Sequence, residues 1–594
     1  MNASEKIAAL RAAMKACGAD GYLVPSSDPH MSEYLPAHYR ARAWFSGFTG
    51  SAGTLAVTAD AAALWTDGRY FIQAERQLAG SGIELMRMRE PGTPELENWL
   101  AEHLPAGGTM ALDGAVCAVA TVEKLEKAFA AKQIAVCDKD LTGAVWTQDR
   151  PPLPATPAWL LDVQYAGKTA REKLADVRAA LGKAGAQATL VSRLDSVAWL
   201  LNLRAADIDY NPFALAYCLV TEDAAQLFID TGRLPGAARA ALEGEGVCVR
   251  GYQDVEAAIA AIGADTAVLY EPAGLSYRLQ RAFLSNPHVT LKAGDEPVAP
   301  LKGVKNPVEV KNLKNAHVKD GVAMVRFAMR LEKAMAAGED VTECDVDAWM
   351  REARAAQPDN LGESFSTIAA YGANAAMMHY APAPDTCAHL APHGFLLVDC
   401  GGQYRDGTTD VTRTYALGTP TEEERRLYTL VLKSHINIAR AVFKQGMAGM
   451  HLDILARGPM WRETLDYRCG TGHGVGFVGG VHEGPQNLSA RGTAPFEPGM
   501  TITDEPGIYE EGRLGIRIEN ELLCKEYGES EYGKFYCFEP ITYCPIDTKP
   551  VDAAMLSAEE RAWLNEFHAN VRKTLAPHLT DEENAWLADA CAPV

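Results

Sequence analysis

Residues 1–19 carry Ile7, Leu10 and Met14 at helical spacing among lysines and arginines, a pattern that predicts an amphipathic helix. The period then changes. Residues 57–67 and 220–230 each read as a strand, a short polar turn and a second strand, and they share seven identities in eleven positions. Gly-Arg follows both (Gly68-Arg69, Gly232-Arg233), a tryptophan-bearing segment precedes both (Trp44, Trp199), and helical stretches such as residues 170–185 alternate with the strands. These features predict two α/β domains that repeat one another. A third stretch opens with a helix whose one face holds Val310, Leu313, Val318, Val322, Val325 and Met329, and a later helix starts at the capping box Thr421 to Glu424. After Val551 the pattern returns to helix.

Two proline-bearing breaks separate these stretches. Residues 151–157 and 295–307 can continue neither a helix nor a central strand. The expected division is 1–153, 154–305, a region 306–550 that holds the chemistry, and a helical extension 551–594. A chain of 594 residues is too long for one core, which agrees with several domains. The net charge of −21, with no long basic block, disfavours nucleic acid and anionic membranes as partners. The first helix lacks the uninterrupted apolar run of a signal peptide, and no apolar run approaches the roughly 18 residues of a membrane span. Thirteen scattered cysteines, with no Cys-x-x-Cys pair, read as free thiols, so the cytoplasm is the expected compartment.

The chemistry lies in two strand-turn-strand units of the third stretch. In the first, an apolar run ends at Asp399, Asp406-Gly407 offers a turn, and the returning strand carries Asp410. A two-residue turn there sets Asp410 opposite Gln403, so the two aspartates meet only if a bulge or a wider loop shifts the register, which Gly401-Gly402 would permit. In the second unit, a three-residue loop centred on Gly512 places Glu505 directly opposite Glu519, while Ile516 and Ile518 alternate with Arg517, Glu519 and Glu521. Facing carboxylates repel unless a cation lies between them. Between the units come Gly472-His473-Gly474-Val475-Gly476 and His482-Glu483-Gly484-Pro485. The glycine run lacks a P-loop lysine, and His482-Glu483 is no zincin motif because position 486 is Gln. Four carboxylates with one imidazole suit a pair of divalent ions, with manganese favoured over thiolate-bound zinc.

These motifs, with Thr503-Asp504-Glu505-Pro506-Gly507, Gly515 to Glu521 and Trp65 to Phe71, resemble the pita-bread metallopeptidases. The likeness is greatest to the three-domain, cytosolic form of Xaa-Pro aminopeptidase (aminopeptidase P), and it covers nearly the whole chain. The resemblance implies two creatinase-type N-terminal α/β domains followed by a pita-bread catalytic domain. It implies metal ligation by Asp399, Asp410, His473, Glu505 and Glu519, with Asp410 and Glu519 bridging two Mn2+ ions and a shared hydroxide attacking the scissile carbonyl. Glu505 resembles the acid/base group, and His379 and His482 resemble the histidines that orient substrate and support proton transfer. Arg69 matches an arginine that reaches substrate from the N-terminal domain. The implied partners are peptides with proline at position 2 and a second copy of the chain. One position departs from the family pattern: Cys469 stands where a second histidine is usual, four residues before His473.

Three alternatives stand beside this reading. A prolidase acting on Xaa-Pro dipeptides shares the fold but usually carries one N-terminal domain. A non-catalytic peptide-binding module and a metal-free amidinohydrolase of the creatine type are both disfavoured by the intact ligand set.

Overall fold

The computed structural model describes residues 1–263 and 265–594. It divides into two compact units, the first formed by Met1–Leu161 and Lys168–Val298, the second by Asp162–Gly167 and Ala299–Val594.

The first unit contains the same architecture twice. The opening helix, Ala3–Cys17, buries Ile7, Leu10 and Met14 as its spacing predicts. A central strand, Gly21–Pro25, pairs antiparallel with Thr54–Thr58 and parallel with Thr109–Leu112. Thr54–Thr58 turns back into Ala62–Thr66, and Glu84–Arg87 and Ala135–Asp138 close the edges of a six-stranded sheet. The second sheet has the same strand order and directions around the central strand Ala188–Val191, with the hairpin Ala216–Thr221 and Ala225–Ile229 in the place of the first. The shared sequence has a local cause: Ala61 N–H donates to Thr58 Oγ1 at 3.1 Å, and Ala224 N–H donates to Thr221 Oγ1 at 3.0 Å. Each threonine pins its own turn.

In the second unit a long helix, Pro307–Ala337, begins at a capping box of Asn306 and Glu309. Its buried Val322, Val325 and Met329 pack with Leu427, Val431 and Ile436 of the helix Glu422–Ala439 and with Ile508, Ile516 and Ile518 of a hairpin. The C-terminal helices Ala558–Leu575 and Asp581–Ala590 add Leu564, Val571, Leu575 and Leu587 to this core. Val310 and Val318 on the predicted face are half-buried rather than enclosed. Antiparallel ladders lie beneath the helices: Phe395–Cys400 between Ile368–Tyr371 and Val411–Ala416, and Asn520–Ser530 between Thr501–Asp504 and Gly533–Pro540. No helix among the described residues is long and apolar enough to cross a membrane.

Candidate metal centre

Register brings the predicted residues onto shared faces. In the first ladder the turn is Arg405-Asp406, not Asp406-Gly407, because Tyr404 pairs with Gly407 and Gln403 with Thr408. Asp399 pairs with Thr412 and Cys400 with Val411, in phase with that turn. Asp410 is thereby level with Gly401, on the same face as Asp399 and Thr412, and the shift of the turn by one residue takes the place of a bulge or wider loop. Asp406, which lies in the turn, is buried against Lys319 at 2.8 Å and accepts from Asn315. The second ladder follows its expected register. Glu510 pairs with Leu514 across Glu511-Gly512-Arg513, with Gly512 at φ +74°, where glycine is favoured. Gly507 pairs with Arg517 and, beyond a short break, Asp504 pairs with Asn520, so Glu505 and Glu519 are level between two in-phase segments.

His473 arrives from the side. Gly472–His473 pairs with Asn487–Leu488, and His473 N–H donates to Thr503 Oγ1 at 3.0 Å. A Cβ on Gly472 would lie 1.8 Å from the Thr503 carbonyl oxygen, so only glycine lets this strand approach. Ligand atoms of Asp410, His473 and Glu519 all lie within 4.8 Å of one another. His473 Nε2 is 3.5 Å from Asp410 Oδ2 and 3.4 Å from Glu505 Oε1. Asp399 is buried beside them, its Oδ2 accepting from Arg517 Nη2 at 2.5 Å. Thr412 Oγ1 donates to Glu519 Oε2 at 2.6 Å and so joins the two ladders.

The electrostatics fit a cation. Asp399, Asp410 and Glu519 are buried, while Glu505 keeps 21% of its side chain open. Oδ1 of Asp399 and Oδ1 of Asp410 are buried with no hydrogen-bond donor, a costly condition that divalent ions would relieve. Burial, followed by repulsion from Glu519, Asp399 and Glu505, drives Asp410 far above the carboxylate range. Burial and the charges of Asp399 and Glu505 do the same to Glu519. Burial raises Glu505 to about 7 against the pull of Arg517. Arg517 offers one positive charge to four carboxylates, which two divalent cations would balance far better.

The remaining predicted residues divide between the units. The His482 ring stands edge-on to that of His473, centroids 4.3 Å apart. His379 follows Met378, whose carbonyl oxygen accepts from Arg517 Nη2 at 3.4 Å. Cys469 packs half-buried on the apolar core, and its carbonyl accepts from Arg457 Nη2 at 2.7 Å. Arg69 belongs to the first unit, where Asp67 holds it through two 2.8 Å hydrogen bonds. Its repeat counterpart differs: Arg233 is buried on Asp207, whereas Arg69 keeps 26% of its side chain exposed.

Sequence reasoning missed three supporting groups. Arg517 sets Asp399 and also donates to Tyr509 Oη at 2.7 Å, and Thr412 holds Glu519. Strand alternation could have found Arg517, since it shares a face with Glu519. Glu521, on that face too, is buried against His317 Nε2 at 2.9 Å.

Comparisons with known proteins cover the whole chain. Residues 311–526 match the metallopeptidase family M24 model and 534–594 its C-terminal region. Residues 6–143 and 149–309 each match a creatinase/prolidase N-terminal domain, which agrees with the two repeated sheets. Aminopeptidase P2 of Arabidopsis thaliana is 38% identical over 97% of this chain and 86% of its own length. A probable Xaa-Pro aminopeptidase P of Coprinopsis cinerea is 39% identical over 100% of this chain and 99% of its own. The X-prolyl aminopeptidase of Caenorhabditis elegans, described as a cytosolic enzyme with a di-nuclear active site, superposes with a TM-score of 0.95 at 35% identity, covering 100% of both chains. With a largely buried carboxylate–histidine cluster on a pita-bread domain that follows two creatinase-type domains in sequence, the chain belongs to the M24 metallopeptidases, in the Xaa-Pro aminopeptidase (aminopeptidase P) family.

Proposed function

We infer that this protein is a metalloaminopeptidase that hydrolyses the bond between the N-terminal residue of a peptide and a proline at position 2. The observation that carries the reading is the cluster of Asp410, His473 and Glu519, with Glu505 on His473 and Asp399 beside them, in a chain matched end to end by aminopeptidases P. We propose Asp399, Asp410, His473, Glu505 and Glu519 as ligands of two divalent ions. Oxygen-rich donors without a thiolate favour Mn2+. When bound, the ions supply Lewis acidity toward the scissile carbonyl and an activated water.

The chain's own groups do the rest. Arg517 and Thr412 fix the orientation of Asp399 and Glu519. Glu505, whose side chain is partly open, is suited to take a proton at one carboxylate oxygen and return it to the leaving proline nitrogen. His482 and His379 orient substrate and support that transfer, and Arg69 is proposed as a substrate contact from the first unit. The domain division 1–153, 154–305, 306–550 and 551–594, and a cytoplasmic location, belong to the same reading. A homodimer is supported by Met450, Ile454 and Trp461, which repeat along one side of the helix Gly449–Arg462 and are 47%, 46% and 48% exposed. Matched Xaa-Pro-Yaa, Xaa-Pro and Xaa-Ala-Yaa peptides, assayed with and without manganese, test the function. Faster cleavage of the dipeptide than of the tripeptide would move the assignment to prolidase.

A further inference from the structure

The two histidines of the centre sit at the ends of one loop. His473 leads into Gly474, and His482 leads into Glu483, whose N–H donates to the Gly474 carbonyl at 2.7 Å. The Glu483 carboxylate meets two lysines of the segment before the long helix. Lys302 Nζ is 3.0 Å from Oε2 and Lys305 Nζ is 3.0 Å from Oε1, with side-chain exposures of 2%, 0% and 6% for Lys302, Lys305 and Glu483. Lys305 Nζ also donates to the Val475 carbonyl at 2.6 Å. One ammonium therefore ties the chain two residues past His473 to the residue after His482. Its own backbone is anchored, Lys305 N–H donating to the Gly499 carbonyl at 2.9 Å.

Burying three charges is expensive, and a buried ion pair is poor evidence for net stability, whereas it can fix one geometry among several. We propose that Lys305, with Lys302 and Glu483, is a positioning device that sets the edge-on arrangement of His473 and His482. None of the three touches substrate or metal in this reading, which rests on the role assigned to His482 above. Lys305 acts by holding both loop ends, so losing it would let His482 move without removing any ligand.

The test is a double-mutant cycle on the manganese-loaded, full-length protein. Lys305→Met is expected to lower kcat about 10–100-fold, the range for groups that orient metal-site residues, with two metal equivalents retained by elemental analysis. Lys305→Arg should restore much of the loss. In Lys305→Met/His482→Ala the kcat should equal that of His482→Ala alone, since both changes remove one contribution. Glu483→Gln, which keeps the side-chain size, serves if the methionine variant does not fold. Additive losses, unchanged kcat in Lys305→Met, or a silent His482→Ala would each overturn the proposal. Imidazole NMR signals of the metal-free protein give a readout independent of activity. A shift of the His482 signals in Lys305→Met, reversed in Lys305→Arg, is expected, and unmoved signals would refute the device even if the peptidase assignment itself failed.

Discussion

Removing divalent metal should make the second unit less stable as pH rises through the neutral range. In the metal-free chain Glu505 moves from 4.5 to about 7, and Asp410 and Glu519 are displaced further in the same direction. A carboxyl whose folded pKa exceeds its unfolded value binds more protons folded than unfolded. Its relative stabilisation is complete below the unfolded pKa and is lost as pH climbs through the folded one. For Glu505 that window runs from about 4.5 to about 7, and the loss is on the order of 3 kcal/mol. At roughly 2 °C per kcal/mol for a unit of this size, Glu505 alone lowers Tm by about 6 °C. Scanning calorimetry of chelated and manganese-loaded protein from about pH 5 to about pH 8 reads this directly, and the metal should add more stability at the alkaline end, where it displaces fewer protons. Asp410→Asn sharpens the test. It removes a buried carboxyl that must be either ionised among like charges or held protonated at a cost, so the chelated variant should melt above the chelated parent at high pH while binding less metal and losing activity. A chelated parent whose Tm is flat or rises with pH, or a chelated variant that melts lower, would refute the electrostatic account of the cluster.

Other outcomes follow from the same geometry. Arg69→Ala should weaken turnover while metal content stays at two equivalents, and unchanged kinetics would return Arg69 to its pairing with Asp67. Cys469→Ala should keep both metals and most activity, because the residue packs on the apolar core, whereas Cys469→His should alter KM more than metal affinity. Loss of one metal equivalent in Cys469→Ala would make the cysteine a ligand. Trp461→Glu should shift the protein from dimer to monomer in analytical ultracentrifugation, and an unchanged sedimentation coefficient would place any partner surface elsewhere.

What could be read without coordinates was periodicity and short-range register. The Glu505–Glu519 juxtaposition was legible because Gly512 marks its loop centre and a strand's side chains alternate strictly. The Asp399–Asp410 pair was harder. Asp406-Gly407 has the composition of an exposed turn, yet Asp406 is buried on Lys319 and the chain turns one step earlier. A tertiary ion pair overrode local turn chemistry, and no local pattern encodes a lysine so distant in sequence. The Lys302–Lys305–Glu483 group was invisible for the same reason: its lysines lie in a stretch that read as a proline-bearing linker.

The hairpin that joins Gly507–Glu510 to Leu514–Arg517 turns through three solvent-exposed residues, Glu511 to Arg513. Nothing at that tip contacts the metal cluster, so its chemistry is free to drift, Gly512 apart. Its length is not. Adding or deleting one residue there would slide the second strand by one position, carry Glu519 to the opposite face and bring Ile518 (on insertion) or Asn520 (on deletion) in its place. Among descendants of this sequence, substitutions at the tip should therefore be common while insertions and deletions are purged. The loop acts as a counting device whose inheritance is measured in residues rather than in side chains.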